Sequence, residues 1–155
     1  MQAIRQALGA YADRVRVEVY DSLDSTNTLA KSRADGDAPL LIIARSQTGG
    51  RGRLGRSFHS PARTGLYMTV AYTTEKPLSE AVRVTCAAAV AAVSAIEALT
   101  DKRPAIKWVN DIYLNNCKVG GILTEAVTRP DGLHRMAVGI GLNLTTAEFP
   151  EGLRA

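Results

Sequence analysis

Two stretches of this chain hold most of the side chains that could do chemistry. The first is Gly49-Gly50-Arg51-Gly52-Arg53-Leu54-Gly55-Arg56, in which three arginines fall within six residues. Arginine presents a planar fork of donors suited to two-pronged recognition of phosphate and carboxylate. The glycines between them free backbone amides to approach an anion closely, and Phe58 just beyond can lie flat on a base. Mobile glycines with interleaved cations suit a loop that closes over a phosphate-bearing ligand and excludes water. The plain alternative is a solvated basic hairpin tip. The second stretch is Lys107-Trp108-Val109-Asn110-Asp111, followed by Lys118 and Gly120-Gly121. Asn110 and Asp111 put a carboxamide beside a carboxylate, where Mg²⁺ or an incoming amine could be held. The two glycines leave open space near the Lys118 ammonium. Gly139-Ile140-Gly141-Leu142-Asn143 places glycines inside a strand, the mark either of close ligand approach or of tight strand packing.

The first stretch satisfies the dinucleotide pattern G-x-G-x-x-G at Gly50, Gly52 and Gly55, with Glu75 about 20 residues on. Geometry excludes that reading. Nine residues separate Gly55 from Gly65, Pro61 interrupts them, and no helix opens there to receive a pyrophosphate. No Gly-Lys-Ser/Thr occurs, so a Walker loop is excluded too.

The elements that must position these groups read as follows. Val15–Tyr20 alternates apolar and polar as a strand does, and Asp24-Ser25-Thr26-Asn27 offers capping residues for a helix entering at Thr28. Leu40–Ala44 reads as a buried strand and Gly65–Tyr72 as another. From Leu78 to about Leu99 the apolar period becomes three to four, predicting a helix with one apolar face. Short strands at Ala105–Trp108 and Ile112–Leu114 lead through an Asn115-Asn116 turn into Lys118–Glu125. Arg129-Pro130-Asp131-Gly132 is a second turn before a last strand, His134–Leu144. The class is α+β with a mixed, largely antiparallel sheet.

Composition agrees with one folded domain. The 155 residues are 46 % hydrophobic and 22 % charged, which excludes a disordered tail. Cys86 and Cys117 make no disulfide framework, no Cys/His cluster has zinc spacing, and no run of about 20 apolar residues is visible. A reduced, cytoplasmic setting without membrane attachment is expected. The net charge of +4, mostly arginine, points to an anionic ligand; a nucleic-acid surface would need a longer basic stripe.

Taken in order, Asp24-Ser25-Thr26-Asn27, Gln47, the Gly-Arg-Gly-Arg run at 50–53, Lys107-Trp108-Val109-Asn110-Asp111, Lys118 with Gly120-Gly121-Ile122-Leu123, and Gly139-Ile140-Gly141-Leu142-Asn143 resemble the catalytic domain of biotin protein ligases. The resemblance covers about 120 of the 155 residues. It implies a core related to class II aminoacyl-tRNA synthetases, with helices on one side of the sheet. It implies ATP with Mg²⁺ and biotin as substrates, biotinyl-5′-AMP as intermediate, and a lysine of a biotin carboxyl carrier protein as acceptor. By carry-over, Ser25, Thr26, Asn27 and Gln47 would hold the biotin head group, and Arg51, Gly52 and Arg53 would form the loop over the adenylate. Lys118 would contact the reacting carboxylate and α-phosphate, acting with Arg53 and Asp111. Arg51, Arg53, Arg56, Phe58, Asn110 and Asn143 would line the nucleotide, with Asp111 toward Mg²⁺. Val109 stands where the family usually has Pro, and Phe58 where it often has Trp.

The resemblance further implies a catalytic domain over residues 1–155, C-terminally short, with no DNA-binding domain before it and no β-barrel after it. No specific DNA partner is expected, and a homodimer stays open. Lipoate or octanoate ligation, and a core that binds without transferring, are the alternatives. The first should lack the paired-arginine loop and the Lys-Trp-x-Asn-Asp run.

Overall fold

Side-chain alternation decides which groups face the functional cleft. The computed structural model describes residues 2–33 and 38–151. Its elements run α1 (Gln2–Leu8), β1 (Arg16–Tyr20), α2 (Thr26–Ser32), β2 (Leu40–Ala44), β3 (Gly65–Thr74), α3 (Ala81–Leu99), β4 (Ala105–Lys107), β5 (Asp111–Leu114), β6 (Cys117–Thr128) and β7 (His134–Asn143). One seven-stranded sheet results, in the order β1-β2-β3-β7-β6-β5-β4. Only β1 and β2 pair in parallel, joined by the crossover through α2; all other pairs are antiparallel. The α+β class and the mixed, largely antiparallel sheet are as expected.

The helices sit otherwise than on one side. On β7, Ala137 is buried with Ala30 of α2, while the next residue, Val138, is buried with Ala89 and Ala92 of α3. Consecutive strand residues point to opposite faces, so α2 and α3 cover opposite faces of the sheet. The apolar runs of β2 and β7 allow this, since both of their faces are buried.

α3 opens with a 3₁₀ turn over Leu78–Glu80, so the period-3.6 pattern gave its extent correctly. The segment Leu78–Leu99 is, by length and composition, apolar enough to cross a membrane, although Glu80, Arg83 and Glu97 interrupt its apolar run. Here Thr85, Ala89 and Ala92 pack it on the sheet. β5 and β6 are joined through Asn115 and Asn116 at φ 50° and 62°, the left-handed pair that a two-residue hairpin requires. α1, with no buried residue, carries no period that foretold it.

Candidate functional site

Residues from six segments converge on the α2 face of the sheet, around a cleft of about 650 Å³. Ser25, Thr26, Asn27, Gln47, Arg51, Gly52, Arg53, Arg56, Phe58, Asn110, Asp111 and Lys118 all line it. Both chemistry-bearing stretches therefore share one cavity.

One end is built from neutral polar groups. Ser25 caps α2, accepting from the Thr28 amide at 3.4 Å. Gln47 Oε1 accepts from the Thr26 amide (2.8 Å) and the Thr26 hydroxyl (3.1 Å), and its Nε2 donates to Ser60 Oγ (2.9 Å). Thr69 Oγ1, fully buried, lies 2.8 Å from Thr26 Oγ1 and 2.7 Å from Asn27 Oδ1, so its one proton serves either. Asn27 Nδ2 donates to the Leu123 carbonyl (3.1 Å) and Glu125 Oε2 (2.9 Å). Asn27 thus has both polar atoms engaged by the protein, as Gln47 does.

Glu125 also takes the Lys31 ammonium. Burial pushes its carboxyl up, but the hydrogen bonds from Lys31 and Asn27 and the charges of Lys31 and Arg51 outweigh burial and hold it below its ordinary value. Ser60, Thr69 and Glu125 were not read from the sequence as site residues. Thr69 carried a signal: it is the polar member of the inward row Tyr67, Thr69, Ala71.

The other end is cationic. The glycine-arginine stretch is a small hairpin: Phe58 N donates to Gly50 O (2.8 Å), Gly52 N donates to Arg56 O (2.7 Å), and a 3₁₀ turn over Arg53–Gly55 forms the tip. Arg53 Nη1 donates to Asn110 Oδ1 (2.9 Å), closing the tip onto the strand end beyond β4. Asn110 Nδ2 donates to Asp111 Oδ1 (3.1 Å) and to the Ile122 carbonyl (3.1 Å). Lys118 Nζ meets Asp111 Oδ1 at 2.8 Å.

Lys118 and Gly121 are three residues apart, and in a regular strand they would face opposite ways. Between Ile112 and Tyr113 the register slips: Tyr113 pairs with Lys118 but Ile112 with Gly120. This bulge puts one extra residue, Val119, on β6 and turns Lys118 into the cleft beside Gly121. Nothing in the sequence alone marked the bulge.

The strand glycines answer the question left open above. A Cβ at Gly139 would fall 2.3 Å from Asn27 Oδ1, and one at Gly141 would fall 2.6 Å from the Phe58 ring. Their first use is tight packing of two cleft-lining side chains. At Gly121 nothing lies nearer than 3.5 Å, so that glycine leaves room beside Lys118.

Asn143 is not brought to the cleft. It lies at the end of β7, where its Oδ1 accepts from the Thr146 hydroxyl (3.2 Å) and the Tyr67 hydroxyl (3.5 Å) and fastens the strand end. Asp111 is the one carboxylate lining the cleft among the described residues, and no cluster of three metal-ligating side chains occurs among them. One carboxylate with an oxygen to spare fits a Mg²⁺ ion that arrives on a nucleotide, since Mg²⁺ needs few protein ligands when phosphates supply the rest.

Fold and cleft together define an α+β domain with a neutral polar pocket opening onto a cationic lid. The chain belongs to the Biotin/lipoate A/B protein ligase family, whose pattern matches residues 19–143. It is 38 % identical over 138 residues to the bifunctional ligase/repressor BirA of Bacillus spizizenii, covering 86 % of this chain and 42 % of that protein. It is 38 % identical over 130 residues to the biotin–[acetyl-CoA-carboxylase] ligase of Paracoccus denitrificans, covering 80 % and 52 %. Among solved structures, the biotin protein ligase from Aquifex aeolicus in complex with biotin and ATP superposes with a TM-score of 0.70 at 28 % identity, covering 88 % of this chain and 55 % of that one. The chain spans about half the length of the relatives it matches.

Proposed function

We propose that this chain is the catalytic core of a biotin–protein ligase, which activates biotin with ATP and passes the biotinyl group to a lysine of a biotin carboxyl carrier protein. The observation that carries the reading is the single cleft with a neutral polar end and a cationic end. A ureido ring needs partners for both N–H and C=O groups when buried; there the Ser25 hydroxyl proton and the second Gln47 Nε2 proton are left over from the network, and Thr26 stands beside them. A dithiolane ring would have no use for them, which favours biotin over lipoate.

In the first half-reaction a carboxylate oxygen of biotin attacks the α-phosphorus of ATP. An O–P bond forms, the bond to pyrophosphate breaks, and pyrophosphate leaves. Two anions must meet, so fixed cations at the crossing point lower the barrier. Lys118 and Arg53 stand there, with Arg51 and Arg56 on the lid, and Mg²⁺ enters with the nucleotide as part of the substrate. Phe58, seated over Gly141, offers its ring to the adenine. The hairpin then screens the mixed anhydride from water.

In the second half-reaction the acceptor amine attacks the acyl carbon, an amide bond forms, the acyl–oxygen bond breaks, and AMP leaves. Asp111, with one oxygen toward Lys118, has the other to orient the amine and take its proton. The proposed setting is the reduced cytoplasm; Cys86 and Cys117 are both free thiols.

The test is incubation with ATP, Mg²⁺ and either biotin or lipoate, followed by mass detection of the acyl adenylate. Biotinyl-AMP should form and lipoyl-AMP should not. Absence of biotinyl-AMP, or equal use of lipoate, overturns the reading.

A further inference from the structure

Three large hydrophobic side chains among the described residues are more than three-quarters exposed: Leu54, Leu99 and Trp108. Two of them line the cleft, Leu54 at 89 % exposure on the lid tip and Trp108 at 80 % on the segment after β4. The Arg53–Asn110 hydrogen bond ties the two segments together across the cleft mouth. Leu54 is also held at φ 57°, ψ 37°, a left-handed backbone that glycine adopts more cheaply than leucine. A strained backbone thus displays an apolar side chain to solvent at the edge of the cleft.

The charge at that opening is also out of balance. Arg51, Arg53 and Arg56 carry three positive charges, while Glu125 is already engaged by Lys31 and Asp111 by Lys118. A bound acyl adenylate contributes a single phosphate charge. A cationic surplus therefore remains after the small substrates are in place, on exposed side chains beside the two apolar groups.

We propose that Leu54 and Trp108 are the apolar anchors of a docking surface for the acceptor, a folded protein that presents its lysine between apolar side chains within an acidic surface. This inference rests on the ligase reading above and adds which residues the acceptor covers. Apolar anchors ringed by complementary charge are the usual anatomy of such a contact, with the aromatic carrying a large share of the affinity. The surplus arginines steer the encounter and make it salt-sensitive.

The test compares Leu54→Gly, which removes the side chain while easing the backbone, and Trp108→Ala with the unaltered chain. Three reactions are measured: biotin-dependent pyrophosphate exchange, formation of biotinyl hydroxamate with hydroxylamine, and transfer to a biotin carboxyl carrier domain. Exchange and hydroxamate formation set the baseline for each variant, and the loss in transfer should exceed any loss in them. The KM for the carrier domain should rise about tenfold for Trp108→Ala and less for Leu54→Gly, with kcat kept. Added salt should raise that KM in the unaltered chain.

An unchanged carrier KM in both variants overturns the docking surface while leaving the ligase reading intact. A fall in exchange matching the fall in transfer overturns it too, because Trp108 would then serve the nucleotide. No biotin-dependent exchange in the unaltered chain overturns the ligase reading itself, and the inference with it.

Discussion

The two ends of the cleft are satisfied to opposite degrees. Around Gln47 and Thr69, carboxamide and hydroxyl groups are closed into a network before any ligand arrives: Gln47 uses both of its polar atoms on the protein, and so does Asn27. Around the lid, three arginines make one side-chain hydrogen bond among the described residues, Arg53 to Asn110. The contrast follows from the chemistry at each end. A neutral ring gains from donors and acceptors held rigidly in place, whose ordering was settled when the chain folded. A reacting pair of anions gains from cations with donors to spare: the lid arginines make no ion pair within salt-bridge distance among the described residues, while Lys118 shares its charge with Asp111. In the proposed function the first end is therefore a stability element that also binds, and the second is the reactive element.

The largest effect that follows is at the cationic end. Lys118→Ala should reduce biotin-dependent pyrophosphate exchange by about 10²–10³-fold, the loss seen when one pre-set charge-stabilising donor is removed. The melting temperature should hardly move, because the Lys118–Asp111 pair is partly exposed and such pairs contribute little to folding. Exchange that survives the substitution would remove Lys118 from the chemistry. A large drop in melting temperature would erase the distinction between the two ends.

Thr69→Val tests the neutral end in the reverse sense. The hydroxyl is fully buried, and valine keeps its shape while leaving Asn27 Oδ1 without its donor; the Thr26 hydroxyl keeps its bond to Gln47. Leaving such a group unpaired costs about 1–3 kcal/mol, and for a chain of this size each kcal/mol lowers the melting temperature by about 2–4 °C. The KM for biotin should rise while kcat for exchange is kept. A kcat loss comparable with that of Lys118→Ala would show that both ends act on the reacting atoms and that the comparison is false.

Strand and helix periods were plain in the sequence, because Leu40–Ala44 and the Leu78–Leu99 pattern state their burial directly. Most of the cleft was legible as well: twelve positions, some named for their residue types and others, such as Ser25, Thr26, Asn27 and Gln47, carried over from the family resemblance, line one cavity. What escaped was whatever depends on tertiary register. The bulge that turns Lys118 inward is set by how β5 meets β6. The face each helix covers is set by which neighbour of the Ala137–Val138 pair it meets. Asn143 shares the glycine row with Gly139 and Gly141, yet it stands where the strand ends and the protein itself needs a bond. Glu125 looked like one more residue of a strand, since its partners Asn27 and Lys31 come from nearly a hundred residues away.

The smallest expected effect joins the two ends. Glu125 holds Asn27 and Lys31 at the neutral end and feels the charge of Arg51 on the lid. Burial alone would raise its pKa; the cation and amide contacts outweigh that and set it below the ordinary value of 4.5. A carboxylate held more acidic in the folded chain than in the unfolded one contributes stability above its unfolded pKa, and that contribution is lost as pH falls through the folded one. Glu125→Gln keeps the side-chain length and an oxygen for Asn27 Nδ2 but removes the charge. The variant should melt below the unaltered chain at neutral pH; the gap should narrow as pH drops beneath 4.5 and close once pH has passed below the lowered folded-state value, where protonated Glu125 is as neutral as glutamine. A gap that stays constant as the pH is lowered would mean that shape and hydrogen bonding, and not charge, make Glu125 matter. The link between the network and the arginine lid would then be steric only.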